Sequence, residues 1–108
     1  MDPQVFKKRA GEALEDLSQS LIAAGESYGF DVDFQNGALT VEFDNPPAKF
    51  VVSPNAPVSQ IWVSALSKSF KLEWNEEEFV FQLPETGESL QALMAKVIGI
   101  HLGVDIFV

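Results

Sequence analysis

Apolar residues follow a helical period at the start of the chain. They recur at spacings of three and four and form one stripe: Phe6, Ala10, Ala13, Leu14, Leu17 and Leu21. This spacing is typical of an amphipathic helix. Asp2 can cap its first free amides, and Pro3 suits the first helical position. Gly25 is a common type of helix terminator, so we predict a helix over residues 3–24.

The same period returns near the end of the chain, after Pro84. The second apolar stripe is Leu90, Leu93, Met94, Val97 and Ile98. It predicts a helix with its cap at Thr86 or Ser89 and its end near residues 100–102, before Gly103. The tail that follows ends in Ile-Phe-Val. Burial of such side chains gains about 1.5–3 kcal/mol each, so we expect the tail to fold back against the helices.

Between the two helices the period is two, which is typical of strands. Asn36-Gly37 is a strong hairpin signal. We predict strands at 30–34, 39–43, 48–53, 58–65, 70–74 and 78–83. The short connections favour antiparallel pairing. The expected fold is therefore an α+β two-layer sandwich. In it, both terminal helices pack on one face of an antiparallel sheet of five to seven strands, in a single domain over residues 1–108.

The fourth predicted strand places a large aromatic residue among polar ones. Ile61, Val63 and Ala65 form an ordinary core face, whereas Gln60, Trp62 and Ser64 share the opposite face. If both helices cover the first face, Trp62 lies on the face that is open to solvent. Two interpretations stay open: the ring packs on cross-strand neighbours, or it anchors a partner protein.

Composition and charge exclude several functions. The chain has no cysteine and one histidine, which argues against thiolate metal sites, cysteine nucleophiles and zinc enzymes. Its net charge of −9 disfavours nucleic acid and favours basic proteins or cations as partners. We see no signal peptide and no segment apolar enough to span a membrane. The expected location is the cytoplasm, or the mitochondrial matrix if the protein is a processed eukaryotic one.

No motif for catalysis is visible. There is no nucleophile–base pair, and Gly25, Gly29 and Gly37 do not have the spacing of a phosphate-binding loop. Asp31 and Asp33 share one strand face about 6.5–7 Å apart, as the rise per residue dictates. Exposed carboxylates of this kind suit weak binding of hard cations, but a solvated strand face has the same pattern. Glu76-Glu77-Glu78 has the composition of a solvated turn, with steering of a basic partner as the alternative.

Several segments together resemble the frataxin family, including its bacterial homologues. They are "GALTVEF", the run from Pro57 to Trp62 with Gln60, "FKLEWNEEEFVF" with Trp74, and "ESLQALMAKVIG" near the end. The resemblance covers residues 5 to about 102. It implies a helix-flanked antiparallel sheet, and a role in iron–sulfur cluster assembly through docking on the cysteine desulfurase and its scaffold protein. The resemblance also implies weak iron binding by surface acids, and we expect a monomer.

The resemblance also implies which residues act. For iron, as Fe²⁺ or Fe³⁺, the matching positions are Glu12, Glu15, Asp16, Glu26, Asp31 and Asp33. For partner binding they are Gln60, Trp62, Ser64 and Glu42. The chain departs from the family where relatives carry a dense acidic run at the end of the first helix. Here "SQSLIAAGESYGF" contains Glu26 as its only acid. We therefore expect weaker iron loading than in more acidic relatives.

Two alternatives to an iron-binding regulator or iron chaperone stay open, and this departure motivates the first of them. The protein could be a frataxin-fold interaction module with little iron binding. It could also be a ferroxidase-like enzyme that detoxifies iron.

Overall fold

The first helix begins where the sequence predicts and ends later. The computed structural model describes residues 1–108, and its helix α1 covers Pro3–Tyr28. The Asp2 carboxylate accepts a hydrogen bond from the backbone N–H of Gln4 at 3.0 Å, which confirms the predicted cap. The helix passes through Gly25 and is terminated by Gly29, whose φ is +81°.

Gly25 has a packing role instead of a terminating one. A Cβ built on Gly25 would lie 2.5 Å from the carbonyl oxygen of Phe30, a distance that no real side chain tolerates. The missing side chain therefore lets the chain entering the sheet cross close to the last turn of the helix. The predicted end at residue 24 was wrong. Gly25 allows the backbone of Phe30 to approach the helix closely, whereas Gly29 adopts the positive φ that ends it.

Six strands form one antiparallel sheet in sequential order, as predicted. Their bounds are β1 Asp31–Gln35, β2 Ala38–Asp44, β3 Pro47–Asn55, β4 Gln60–Ala65, β5 Lys68–Asn75 and β6 Val80–Gln82. A short 3₁₀ turn, Ala56–Val58, joins β3 to β4. It delays the start of β4 to Gln60, two residues after the predicted start.

Two tight turns set the strand lengths. Asn36 and Gly37 both have positive φ, at 54° and 78°, which confirms the predicted hairpin between β1 and β2. Leu66 and Ser67 also have positive φ, at 54° and 60°. This second turn contains neither glycine nor proline, so no turn signal marks it in the sequence. Its tightness explains why β5 begins at Lys68, earlier than predicted.

The core lies between one face of the sheet and the two helices. The rings of Phe6 on α1 and Phe81 on β6 meet edge to face at 5.9 Å, and Trp74 packs on Phe81 at 5.1 Å. Phe81 and Trp74 therefore lie on the side of the sheet that faces the helices. Phe79, in the β5–β6 turn with a φ of 55°, lies at the margin of this layer: Arg9 of α1 is 5.6 Å from its ring, yet the side chain is 60% exposed. On the edge strand β1, Phe34 is 37% exposed.

The second helix and the tail close the helical layer. Helix α2 covers Leu90–Leu102, and Ser89 caps it by accepting from the N–H of Ala92 at 3.1 Å. Ile106 is buried and Val108 packs against the core, so the predicted return of the tail is confirmed. Phe107 between them points outward and is 85% exposed. Neither helix has both the length and the apolar character needed to cross a membrane.

Candidate functional site

The two faces of β4 differ in burial. Ile61, Val63 and Ala65 are at most 2% exposed, beneath the helices, whereas Trp62 is 37% exposed. Gln60 and Ser64 share the face of Trp62. We call this side of the sheet, which neither helix covers, the open face. Trp62 lies on it, as the alternation of the sequence predicts.

Hydrogen bonds hold the indole of Trp62 in place. Its Nε1–H donates to Oε1 of Gln60 at 2.9 Å, and Nε2 of Gln60 donates to Oε2 of Glu73 at 3.1 Å. Gln60 lies directly opposite Glu73 in the β4–β5 register. Because the indole N–H is already bonded within the chain, the ring is available to a partner mainly through its apolar surface. The side chain of Gln60 is likewise engaged within the chain, so it fixes the orientation of the Trp62 ring.

A cation lies over the same ring. Nζ of Lys71 is 4.9 Å from the centroid of the Trp62 ring, and the two residues are direct cross-strand neighbours. This cation–π contact is worth about 0.5–1 kcal/mol at an exposed site. Lys71 and Glu73 therefore extend the surface around Trp62. Sequence reasoning missed both, since they belong to the site only through the register of β4 and β5.

The other predicted docking residues lie at different distances from Trp62. Ser64 is exposed on β4, between Val51 and Ser69 of the neighbouring strands. Glu42 is on β2, which is separated from β4 by β3. Ser64 thus belongs to the surface around Trp62, whereas Glu42 lies towards the β1 edge.

Glu42 lies among the acidic positions of the sheet edge. It is directly opposite Asp31 on β1 and opposite Lys49 on β3. Side chains of directly paired residues have Cβ atoms about 4.5–5.5 Å apart. The register therefore pairs Asp31 with Glu42 across strands, a shorter separation than that between Asp31 and Asp33 along β1. Asp33 lies opposite Thr40.

The predicted acidic positions do not converge on one centre. On α1, three of them line a hollow of about 510 Å³ beside Trp74 and Phe79: Glu12, Glu15 and Asp16. Glu26 and Asp31 line a second hollow of about 270 Å³. No group of three or more His, Cys, Asp or Glu side chains is arranged to hold a metal ion. Glu12 is also paired with Arg9, at 3.7 Å. A cation at any one of these positions would therefore have few protein ligands, all of them exposed to water.

His101 has a structural environment. Its Nε2 lies 2.8 Å from the carbonyl oxygen of Pro46, and its ring packs on Phe43 at 4.5 Å between centroids. These contacts tie the end of α2 to the β2–β3 turn. They account for the only histidine of the chain.

This architecture, two helices on an antiparallel sheet with an open face centred on Gln60 and Trp62, defines a small α/β sandwich of the frataxin type. The sequence model of the frataxin-like domain matches residues 1–104. The chain belongs to the frataxin-like family.

Curated relatives and one solved structure agree with that assignment. The chain is 30% identical over 100 residues to the iron-sulfur cluster assembly protein CyaY of Azotobacter vinelandii, with 91% of this chain and 90% of the relative covered. It is 31% identical over 88 residues to the protein of the same name from Pseudomonas paraeruginosa, covering 80% and 81%. A frataxin structure from Psychromonas ingrahamii has the same fold, with a TM-score of 0.73 at 22% identity over 99% of this chain and 97% of that one.

Proposed function

We propose that this protein takes part in iron–sulfur cluster assembly as a non-catalytic regulator that docks on the cysteine desulfurase and its scaffold protein. The open face around Trp62 is the proposed contact surface. The membership of the chain in the frataxin-like family and the names of its CyaY relatives support the process. The cytoplasm is the proposed location.

The observation that carries the proposal is the fixed, exposed indole of Trp62. An aromatic side chain held in one orientation loses little conformational freedom on binding, and such residues are frequent hot spots. Trp62 is surrounded by Gln60, Lys71 and Glu73, which supply a polar rim of both charges. The rest of the protein is strongly acidic, which favours encounter with a basic partner surface.

A pull-down with cysteine desulfurase, alone and with the scaffold protein, tests the docking surface. We expect Trp62→Ala to lose most of the binding, because hot-spot truncations cost about 2 kcal/mol or more. Phe107→Ala is the matched control, since Phe107 is also an exposed aromatic residue but lies in the tail beside α2. Wild-type binding by a folded Trp62→Ala protein would overturn the proposal. So would equal losses in both variants.

Iron is the proposed cargo, and the acidic positions of α1 and β1 are its proposed contacts. Carboxylate oxygens suit iron in either oxidation state as hard ligands. The pair Asp31 and Glu42 and the hollow lined by Glu26 and Asp31 offer few ligands each. We therefore infer weak binding with rapid exchange, which fits delivery or regulation better than storage.

The interaction-module alternative rests on the dispersed acids, since no three metal-ligating side chains come together. An anaerobic titration with Fe²⁺, followed through backbone amide signals, separates the two functions. Shifts at Glu15, Asp16, Asp31 or Asp33 support iron contact at the proposed positions. No shift there at millimolar iron, with desulfurase binding intact, would favour the module. Ferroxidase-like activity stays a prediction. Oxygen uptake after Fe²⁺ addition tests it, and uptake no faster than in buffer alone would exclude the activity.

A further inference from the structure

A groove beside the first half of α1 differs in charge from the rest of the molecule. It has a volume of about 800 Å³ and lies between α1, the β1–β2 turn and the end of β3. The chain carries 16 acidic residues, yet none of the groove's twelve lining residues is Asp or Glu. Two of the lining residues are Lys7 and Lys8. The groove is thus a positive site on a protein with a net charge of −9.

The two lysines have no partner within the protein. The ion pairs of the molecule are Arg9 with Glu12 and Lys96 with Glu88, and neither Lys7 nor Lys8 takes part in one. Both side chains are exposed. Their ammonium groups are therefore free to pair with an external anion at the rim of the groove.

The floor of the groove is apolar and has room for a ligand. Phe6, Ala10 and Leu14 lie beneath it as part of the hydrophobic core. Gly11 is on the wall, and a Cβ added there would meet nothing within 4 Å. Small-molecule sites in proteins usually have volumes of about 300–1,000 Å³, a range that includes this groove.

We propose that this groove binds a small amphipathic anion, with its carboxylate-type head at Lys7 and Lys8 and its short apolar chain along Gly11. Charge complementarity selects the head, and the apolar floor selects the chain. The groove shares no lining residue with Gln60, Trp62, Lys71 or Glu73. Binding here therefore uses different residues from the proposed docking through the open face.

Titration of the whole protein with octanoate, below its micellar concentration, tests the proposal. We expect saturable shifts in the backbone amide signals of Gly11, Gly37 and Ala56, which line the groove from three elements. Octanol and octylammonium are the matched neutral and cationic probes. Both should give markedly smaller shifts at the same concentration, since neither pairs with an ammonium group.

Variants separate head recognition from chain recognition. The double variant Lys7→Ala/Lys8→Ala should weaken octanoate binding roughly tenfold, as expected for the loss of two exposed ion pairs. Gly11→Leu should abolish binding by filling the groove, and the open space at Gly11 favours retention of the fold. Lys49→Ala/Lys68→Ala, which removes two lysines of the sheet, should bind as the wild type does.

Three results would overturn the proposal. One is the absence of saturable shifts at the groove. Another is equal binding of octanoate and octanol. The third is binding that survives Gly11→Leu or that moves the signals of Gly99 and Gly103, which line the hollow beside the tail instead. None of these results would bear on the pull-down with desulfurase.

Discussion

The two faces of β4 differ in what surrounds their side chains: one is sealed under the helices, and the other is open to solvent. Ile61 and Val63 are sealed under the helices, while Trp62 between them is 37% exposed on the open face. The buried face gains its stability from apolar area removed from water. The open face instead holds a large ring by a hydrogen bond to Gln60 and a cation–π contact with Lys71, at a position that stays partly exposed to water. Substitutions on one face should therefore affect folding, and substitutions on the other should affect binding.

The largest expected effect is on the buried face. Ile61→Ala should lower the free energy of unfolding by about 2–5 kcal/mol, because it leaves a cavity in the core. Trp62→Ala, one residue away, should cost about 1–2 kcal/mol, because it removes a cross-strand contact, the cation–π contact with Lys71 and one exposed hydrogen bond. Urea unfolding of both variants measures the difference. Equal losses of unfolding free energy in the two variants would mean that the two faces contribute equally to stability.

The distinction between packed and open positions extends to two glycines of α1. Gly25→Ala should destabilise the protein by about 1–3 kcal/mol, since its Cβ would collide with the backbone oxygen of Phe30. Gly11→Ala, with open space around it, should stabilise the helix by about 0.5–1 kcal/mol. Thermal unfolding of the two variants gives the comparison. A stabilised Gly25→Ala protein would show that the close approach is not required.

The smallest expected effect concerns the orientation of the exposed ring. Gln60→Ala should cost about 0.5 kcal/mol of stability, because the two hydrogen bonds that it removes are exposed and water can replace them. It should also move the Nε1–H proton signal of Trp62 and speed its exchange with solvent. The Nε1–H signal of Trp74, which does not contact Gln60, is the internal control. An unchanged Trp62 signal would indicate that Gln60 does not hold the indole.

Much of the fold could be predicted because the two hydrophobic periods are distinct. The stripe from Phe6 to Leu21 and the alternation around Trp62 each led to the observed element and face. Errors arose where a glycine is required for packing instead of a turn, or where a turn forms without glycine. Gly25 is a packing glycine inside the helix, and Leu66-Ser67 forms a tight turn without glycine. Phe79 follows the strand pattern, yet it lies in the β5–β6 turn with a positive φ and stays exposed beside α1.

Only those residues of the candidate site that lie on the same strand could be predicted from the sequence. Alternation within β4 brought Gln60, Trp62 and Ser64 together on one face. Lys71 and Glu73 join them through the pairing of β4 with β5, which no short sequence pattern specifies. The same limit applies to Asp31, whose neighbouring carboxylate across the strands is Glu42.

The two tryptophans allow one experiment to test the central claim within a single sample. Hydroxyl-radical footprinting of the protein, free and bound to the desulfurase–scaffold complex, reports the accessibility of each indole. We predict that oxidation of Trp62 falls sharply in the complex, whereas that of Trp74, on the helix-facing side, stays unchanged. Protection of Trp74 alone, or of neither ring in a complex shown to have formed, would contradict the assignment of the open face as the recognition surface.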